Sequence, residues 1–221
     1  MIWMVYLYRL VSLMRISKAT PEGTRFACLN FHYAKAVPVC QYVYNVWNDG
    51  NEWCGVIVYG GGANMHIASP YNKWQGQVVE LERVALNGKQ GHGKTSAAVA
   101  MTLKALMEEA PWIDLVVSYA DLDQSHVGVL YQATNWIYTG LTNPGTVSAF
   151  IVNGKKTHPK SIYSKGWKQS VLWLRENVDP NAEEFITRGK HKYLYPMNKA
   201  MRKRIQILSV PYPKKDDDVN G

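Results

Sequence analysis

Cysteine is scarce in this chain of 221 residues: Cys28, Cys40 and Cys54 are the whole complement. An odd set of three thiols cannot build a disulfide framework, and a reducing compartment such as a cytoplasm is the expected setting. No C-x-x-C or H-E-x-x-H spacing occurs, which removes the usual zinc patterns. Charge is sparse too, at 19% of residues against 47% apolar, a balance that argues against disorder and allows one sizeable core, with or without a small appendage. The most apolar stretch, MIWMVYLYRLVSLM at the N-terminus, is interrupted by Arg9 and falls short of the roughly 20 residues that span a bilayer. No small-residue cleavage site follows it. Residues 1–13 are therefore expected to form a packed or peripheral extension with no membrane partner, and MRISKAT from Met14 reads as a first strand.

What charge there is lies unevenly. Residues 1–150 hold ten Lys/Arg and ten Asp/Glu, whereas residues 151–221 hold fifteen and seven, so the second stretch carries the whole net charge of +8. A basic block beside a neutral core is the footprint of a polyanion partner, because lysine and arginine displace counterions from phosphates; a solvated basic tail has the same composition.

Along the chain, a strand over residues 14–20 precedes a helix over 22–34 that Pro38 terminates. Residues 42–47 and 52–59 read as strands joined at Asn48-Asp49-Gly50-Asn51, where Asp-Gly is a hairpin signal. A polar loop from Gly60 to Gly76 leads to a strand over 77–86. After a glycine-rich turn at residues 87–94 comes a helix over 95–109, with Val99, Thr102, Leu103 and Leu106 on one face. Residues 112–120 (WIDLVVSYA) read as a strand covered on both faces, followed by a short helix over 125–134, a strand at 135–138 and a hairpin at 150–156. Residues 14–158 are expected to form a mixed α/β (α+β) core. Residues 159–221 form a basic extension with a helix over 161–177, a strand at HKYLYPM, a basic helix around 198–208 and a frayed KKDDDVNG tail.

The turn carries two readings. Gly88-Lys89-Gln90-Gly91-His92-Gly93-Lys94-Thr95 satisfies the P-loop pattern, in which backbone amides cradle phosphates and the lysine neutralises them. The strand before it, VVELERVAL, carries Glu80, Glu82 and Arg83, whereas a P-loop follows a buried apolar parallel strand. The same turn can instead bind a donor's phosphates through Gln90, Gly91, Gly93, Lys94 and Thr95 at a helix N-terminus. It resembles the Q/R-x-x-G-x-G/A loop of acetyltransferases, except that Thr95 stands where a small residue is usual.

Five segments taken in order give a more specific resemblance: Phe31-His32-Tyr33-Ala34-Lys35, Glu80 to Leu86, Val117-Ser118-Tyr119-Ala120-Asp121, Leu130 to Gly140 (LYQATNWIYTG) and Gly189 to Pro196. Together they resemble the Mom family of phage DNA modification proteins, over about residues 14–213. The resemblance implies an acetyltransferase-like (GNAT) fold with a mixed central sheet and flanking helices. It also implies addition of an acetamide-type (carbamoylmethyl) group to the exocyclic amino nitrogen of adenine in DNA, shielding phage DNA from host restriction.

The residues matching the family's functional positions are His32, Tyr33, Arg83, Ser96, Asp121 and Tyr131. Each has a plain structural alternative: His32 closing a helix, Tyr131 in the core, Arg83 paired with Glu80 or Glu82, Ser96 as a first-turn residue. On the catalytic reading a phenol at position 131 serves as general acid, Asp121 manages an amine and Arg83 holds an anion. The acceptor adenine flips out of double-stranded DNA, and His66, Tyr71 and Trp74 of the polar loop are placed to stack on it. The donor is an activated acyl compound, glycyl-tRNA or acetyl-CoA; the second route calls for a metal such as iron, with His32 and Asp121 as candidate ligands. Lys190, Lys192, Lys199, Arg202, Lys203 and Arg204 are the expected nucleic-acid contacts, for DNA and for tRNA. A cytoplasmic monomer or homodimer is expected. Two other classes stay open: a non-catalytic nucleic-acid-binding protein on the same shell, and a P-loop ATPase.

Overall fold

The computed structural model describes residues 14–62 and 64–214; the expected N-terminal extension and most of the charged tail lie outside them. The first elements are β1 (Arg15–Lys18), α1 (Pro21–Phe31), β2 (Cys40–Trp47), β3 (Trp53–Gly60), β4 (Val78–Leu86), α2 (Lys94–Glu109) and β5 (Leu115–Asp121). They are followed by α3 (Val129–Ala133), β6 (Ile137–Thr142), β7 (Val147–Val152), β8 (Lys155–Thr157), α4 (Pro159–Ser164), α5 (Val171–Asn177), β9 (Glu183–Ile186), β10 (Lys190–Pro196) and α6 (Lys199–Ile205). A seven-stranded sheet has the order β1-β2-β3-β4-β5-β10-β6, and a three-stranded sheet the order β8-β7-β9. The described residues form two compact units, one of 14–118 with 130–137 and 194–209, the other of 119–129, 138–193 and 210–214.

In the first unit, α1 begins where the Thr20 side chain accepts a hydrogen bond from Gly23 N, with Pro21 in the first turn. It ends at Phe31, three residues before the expected end. His32 turns extended and its Nδ1 accepts from Ala34 N at 3.1 Å, a local side-chain bond that competes with the helical one. The β2–β3 turn is organised by Asn48, whose Oδ1 accepts from Gly50 N and Glu52 N; the positive φ of 61° falls on Asn51 rather than on Gly50.

Two layers cover this sheet. Ala27 and Cys28 of α1 pack on Val56, Val58 and Ala85, while on the opposite face Tyr59 bonds Thr102 of α2 at 2.8 Å. Helix α2 buries Ala98, Val99, Thr102, Leu103 and Leu106, the stripe that helical spacing demanded.

The second unit has its own core of Phe150, Val152, Ile162, Leu174 and Ala182, with Trp167 and Trp173 against it. The helix expected over 161–177 is two helices. Gly166 takes a φ of 74° after α4, and the Ser170 hydroxyl accepts from Trp173 N to start α5. The HKYLYPM strand is β10, and it lies inside the main sheet between β5 and β6.

Candidate active site

The site in the first unit begins with an irregularity in β4. Val58 pairs with Arg83 and Tyr59 with Leu81, so Glu82 has no residue opposite it and forms a bulge. Cross-strand partners share a face, so Arg83 stands with Val58 on the α1 side. Glu80, opposite Gly60, stands there as well, because Tyr59 faces α2. The bulge thus brings Glu80 and Arg83 to one face although they are three residues apart.

Burial pushes the Glu82 carboxyl up, against the Gly62 N–H that bonds it at 3.1 Å and the Arg83 cation. Arg83 Nη1 donates to Glu82 O at 2.6 Å, whereas its buried Nε has no hydrogen-bond partner among the described residues. A buried guanidinium N–H without an acceptor is an unusual feature that an anionic ligand would relieve. Cys28 and Cys40 lie near this pair, and burial pushes both thiols up, so neither is an activated nucleophile.

Beside β4, the parallel ladder to β5 is only three residues long, from Val78–Leu115 to Glu80–Val117. Past it, Ser118 bridges with its side chain: its Oγ lies 2.9 Å from Leu81 O and 2.8 Å from the Tyr131 hydroxyl. Tyr131 is buried against Trp136, ring centres 5.0 Å apart, and burial raises its phenol to about 12, with Tyr33 and Glu80 adding to the rise and Ser118 opposing it. Tyr33 is half exposed and its ring lies 4.3 Å from that of His32. The structure therefore gathers Tyr33, Glu80 and Ser118 about Tyr131. Ser118, Glu80 and Glu82 had no assigned role in the sequence. A serine inside the apolar run LVVSYA was the signal for the first, since a buried hydroxyl must find a partner.

The glycine turn sits at the start of α2. Gly88, Gly91 and Gly93 have positive φ, and Gly93 caps the helix without a side-chain bond. Gln90 Nε2 donates to Thr95 Oγ1 at 2.8 Å, leaving the buried Oε1 without a partner among the described residues, and Ser96 Oγ donates to Gly93 O. Lys94 is ion-paired with Asp49 of the β2–β3 turn. A cleft of about 410 Å³ opens beside the first turns of α2, lined by Ser96, Ala97, Ala100, Leu103, Ala133, Thr134 and Tyr195. Small side chains on the helix leave room there for a ligand. In the polar loop, Tyr71 is buried while Trp74 is 83% exposed, so Tyr71 is core and not free to stack on a base.

Asp121 lies in the second unit, at the end of β5. Its Oδ1 accepts from Asp123 N at 3.0 Å and its Oδ2 lies 3.4 Å from Lys190 Nζ. Burial alone would raise neighbouring Asp123, but the Arg188 N–H, the Thr187 hydroxyl and the Lys156 and Arg188 cations outweigh it and hold that carboxyl low. Lys192 is half-buried and its ammonium is pushed down by burial. Lys199, Lys203 and Arg204 are exposed on α6 of the first unit, whereas Arg202 Nη2 reaches Asn135 O at 3.3 Å. No group of three or more His, Cys, Asp or Glu residues able to hold a metal occurs among the described residues. His32 lies in the first unit and Asp121 in the second, and neither belongs to such a group.

A mixed sheet covered by helices, parting between β4 and β5 beside a glycine turn, defines a mixed α/β protein. Residues 14–214 match the Mom protein family, and the chain belongs to it. It is 25% identical over 192 residues to the methylcarbamoylase Mom of Escherichia phage Mu, covering 83% of this chain and 76% of that one. Among solved structures it is similar to a spermidine/spermine N-acetyltransferase from Vibrio cholerae, at 9% identity and a TM-score of 0.49 over 87% of this chain and 97% of that one. It is also similar to an acetyltransferase from Bacillus subtilis solved with CoA, at 12% identity and a TM-score of 0.43 over 83% and 97%.

Proposed function

We propose that the protein is a transferase that adds a carbamoylmethyl group to the exocyclic amino nitrogen of adenine in double-stranded DNA, protecting phage DNA from restriction. The observation that carries this is the Tyr131 phenol, buried beside Ser118 where the β4–β5 ladder ends. Family membership and the relative's name, methylcarbamoylase, support it. Ligands of open α/β sheets collect at the carboxyl ends of parallel strands, where this phenol stands. The α2 cleft and the turn of Gln90, Gly91, Gly93, Lys94 and Thr95 receive the donor, and Arg83 Nε offers an anion a buried donor. The resemblance implies an amine-handling role for Asp121.

The product bond constrains the donor. Acetyl transfer joins nitrogen to the carbonyl carbon, whereas a carbamoylmethyl product joins it to the methylene. With a glycyl ester such as glycyl-tRNA, the adenine amine attacks the ester carbonyl and the alkoxide leaves. The glycine amine then attacks the ring carbon, and the original carbon–nitrogen bond breaks, leaving the old amino nitrogen as the terminal amide. Tyr131 suits this route. Its buried phenol can serve as the general acid that protonates the departing ester oxygen. Acetyl-CoA is the other donor, and labelling separates the two.

Mass spectrometry of nucleosides from plasmid DNA after expression tests the reading. Wild type should yield a modified deoxyadenosine, while Tyr131→Phe, still folded, should lower it about 10²–10⁴-fold as expected for loss of a general acid. Asp121→Ala should abolish it. Glycine labelled with heavy nitrogen should mark the bridging nitrogen; labelled acetyl carbon with no glycine nitrogen would favour acetyl-CoA. Unaltered nucleosides with tight DNA binding would favour a non-catalytic binding protein.

A further inference from the structure

We infer that a lysine-rich face of the second unit, made by Lys160, Lys165, Lys168 and Lys190 with Tyr163 and Trp167, binds the phosphate backbone of duplex DNA without reading its sequence. The chain has no Asp or Glu between Asp123 and Glu176, yet five lysines fall within residues 155–168. Folding leaves most of them uncompensated. Lys156 is drawn to Asp123 and to the Phe185 ring, but Lys160, Lys165 and Lys168 make no ion pair among the described residues.

Three further features separate this face from an ordinary solvated one. First, its charges converge. His158, which caps α4, is pushed down by burial first and then by both Lys160 and Lys190, so two cations from different elements act on one ring. Like charges held together destabilise the free protein, and a polyanion relieves that repulsion. Second, the face is shaped. The end of α4 and the segment after it wall a recess of about 790 Å³ with Tyr163, Ser164, Gly166, Trp167, Lys168 and Gln169. Tyr163 is 76% exposed beside it, and Lys165 Nζ lies 4.6 Å above the Trp167 ring.

Third, the kind of cation selects the kind of contact. Arginine reads guanine edges bidentately, but the two arginines of this region are engaged: Arg175 Nε donates to Ala182 O at 2.7 Å, and Arg188 bonds the Leu122 carbonyl. The cations of this face without an ion pair among the described residues, Lys160, Lys165 and Lys168, are point charges suited to phosphates. Lys190 also lies 3.4 Å from Asp121 Oδ2, so the face runs up to a candidate catalytic carboxylate of the same unit.

The test is fluorescence anisotropy of the full chain with a labelled 30-base-pair duplex, over a series of potassium chloride concentrations. For K160Q/K165Q/K168Q, binding should weaken on duplexes of unrelated sequence. The slope of log affinity against log salt should shrink by about 0.9 for each phosphate that a lysine no longer neutralises. K160R/K165R/K168R, which keeps the charges, should retain the wild-type slope, and matched thermal midpoints exclude misfolding. An unchanged slope in the glutamine variant, a wild type that does not bind duplex, or a change confined to one sequence would overturn the inference. Binding is read without turnover, so a wild type that leaves nucleosides unaltered yet shows the expected slope change would fail the proposed reaction and leave this surface standing.

Discussion

At the scale of single residues, the phenol of Tyr131 couples chemistry to stability. Burial keeps its proton on to about pH 12 in the folded protein, whereas an unfolded tyrosine releases it near ~10. Above pH 10 the unfolded chain therefore binds fewer protons than the folded one, and this contribution to stability, complete below pH 10, falls as pH rises toward 12. The loss runs at up to about 1.4 kcal/mol per pH unit. Tyr44 and Tyr59 act in the same direction, both pushed up by burial first, with the Glu109 carboxylate adding to the rise at Tyr44. Urea unfolding across this range should give Tyr131→Phe a shallower decline than wild type, and parallel declines would show that Tyr131 titrates normally. At pH 7 the same change removes one of the two partners of Ser118 Oγ and should cost about 0.5–1.5 kcal/mol, small beside its expected effect on modification.

At the scale of elements, the glycine turn separates a transferase from an ATPase. Lys94, the lysine of the P-loop pattern, is ion-paired with Asp49, and Thr95 Oγ1 accepts from Gln90. Lys94→Ala should leave no ATP hydrolysis to lose; robust, magnesium-dependent hydrolysis by wild type that vanishes in this variant would overturn the acetyltransferase-like reading. A backbone crossing in the second unit gives a stability test. Gly128 has a φ of 77° and an added Cβ would lie 2.4 Å from the Tyr193 ring, whose hydroxyl donates to Val127 O. Gly128→Ala should destabilise by about 1–3 kcal/mol or more, and an unchanged urea midpoint would contradict the close packing.

Periodicity made the central strands and α2 legible in the sequence, because a buried stripe must repeat with its element. It did not reveal the bulge at Glu82, the break at Gly166 or the early end of α1. Each depends on one or two local hydrogen bonds or on register, which hydrophobic pattern does not encode. The site was legible only in parts: Tyr131 and Arg83 stood in recognisable motifs, while Ser118 and Glu80 acquire meaning only through neighbours distant in the chain. Insertion of β10 between β5 and β6 was likewise hidden, since a strand's sequence does not name its partner.

At the scale of the whole molecule, charge decides what the protein meets. The entire excess lies after residue 150, and part of it is carried by α6, where Lys199, Lys203 and Arg204 are exposed while Met201 and Ile205 are buried. Helix propensity does not require that run of cations, because any straight-chain polar residue would serve on an exposed face. The proposed phosphate contact would. Neutralising Arg202, Lys203 and Arg204 together should therefore weaken DNA binding on all sequences, but the three are not equal. Arg202 already reaches the Asn135 carbonyl at 3.3 Å and is less available to a phosphate. The salt slope should accordingly fall by about 1.8, the share of two phosphates at about 0.9 each, rather than by the share of three. Neutralising Lys203 and Arg204 alone should reproduce nearly the whole effect, and Arg202→Gln alone should leave the slope nearly unchanged. A slope unmoved by the triple change would make α6 a solvated face, and a drop of about 0.9 from Arg202→Gln alone would show that DNA draws this side chain away from Asn135.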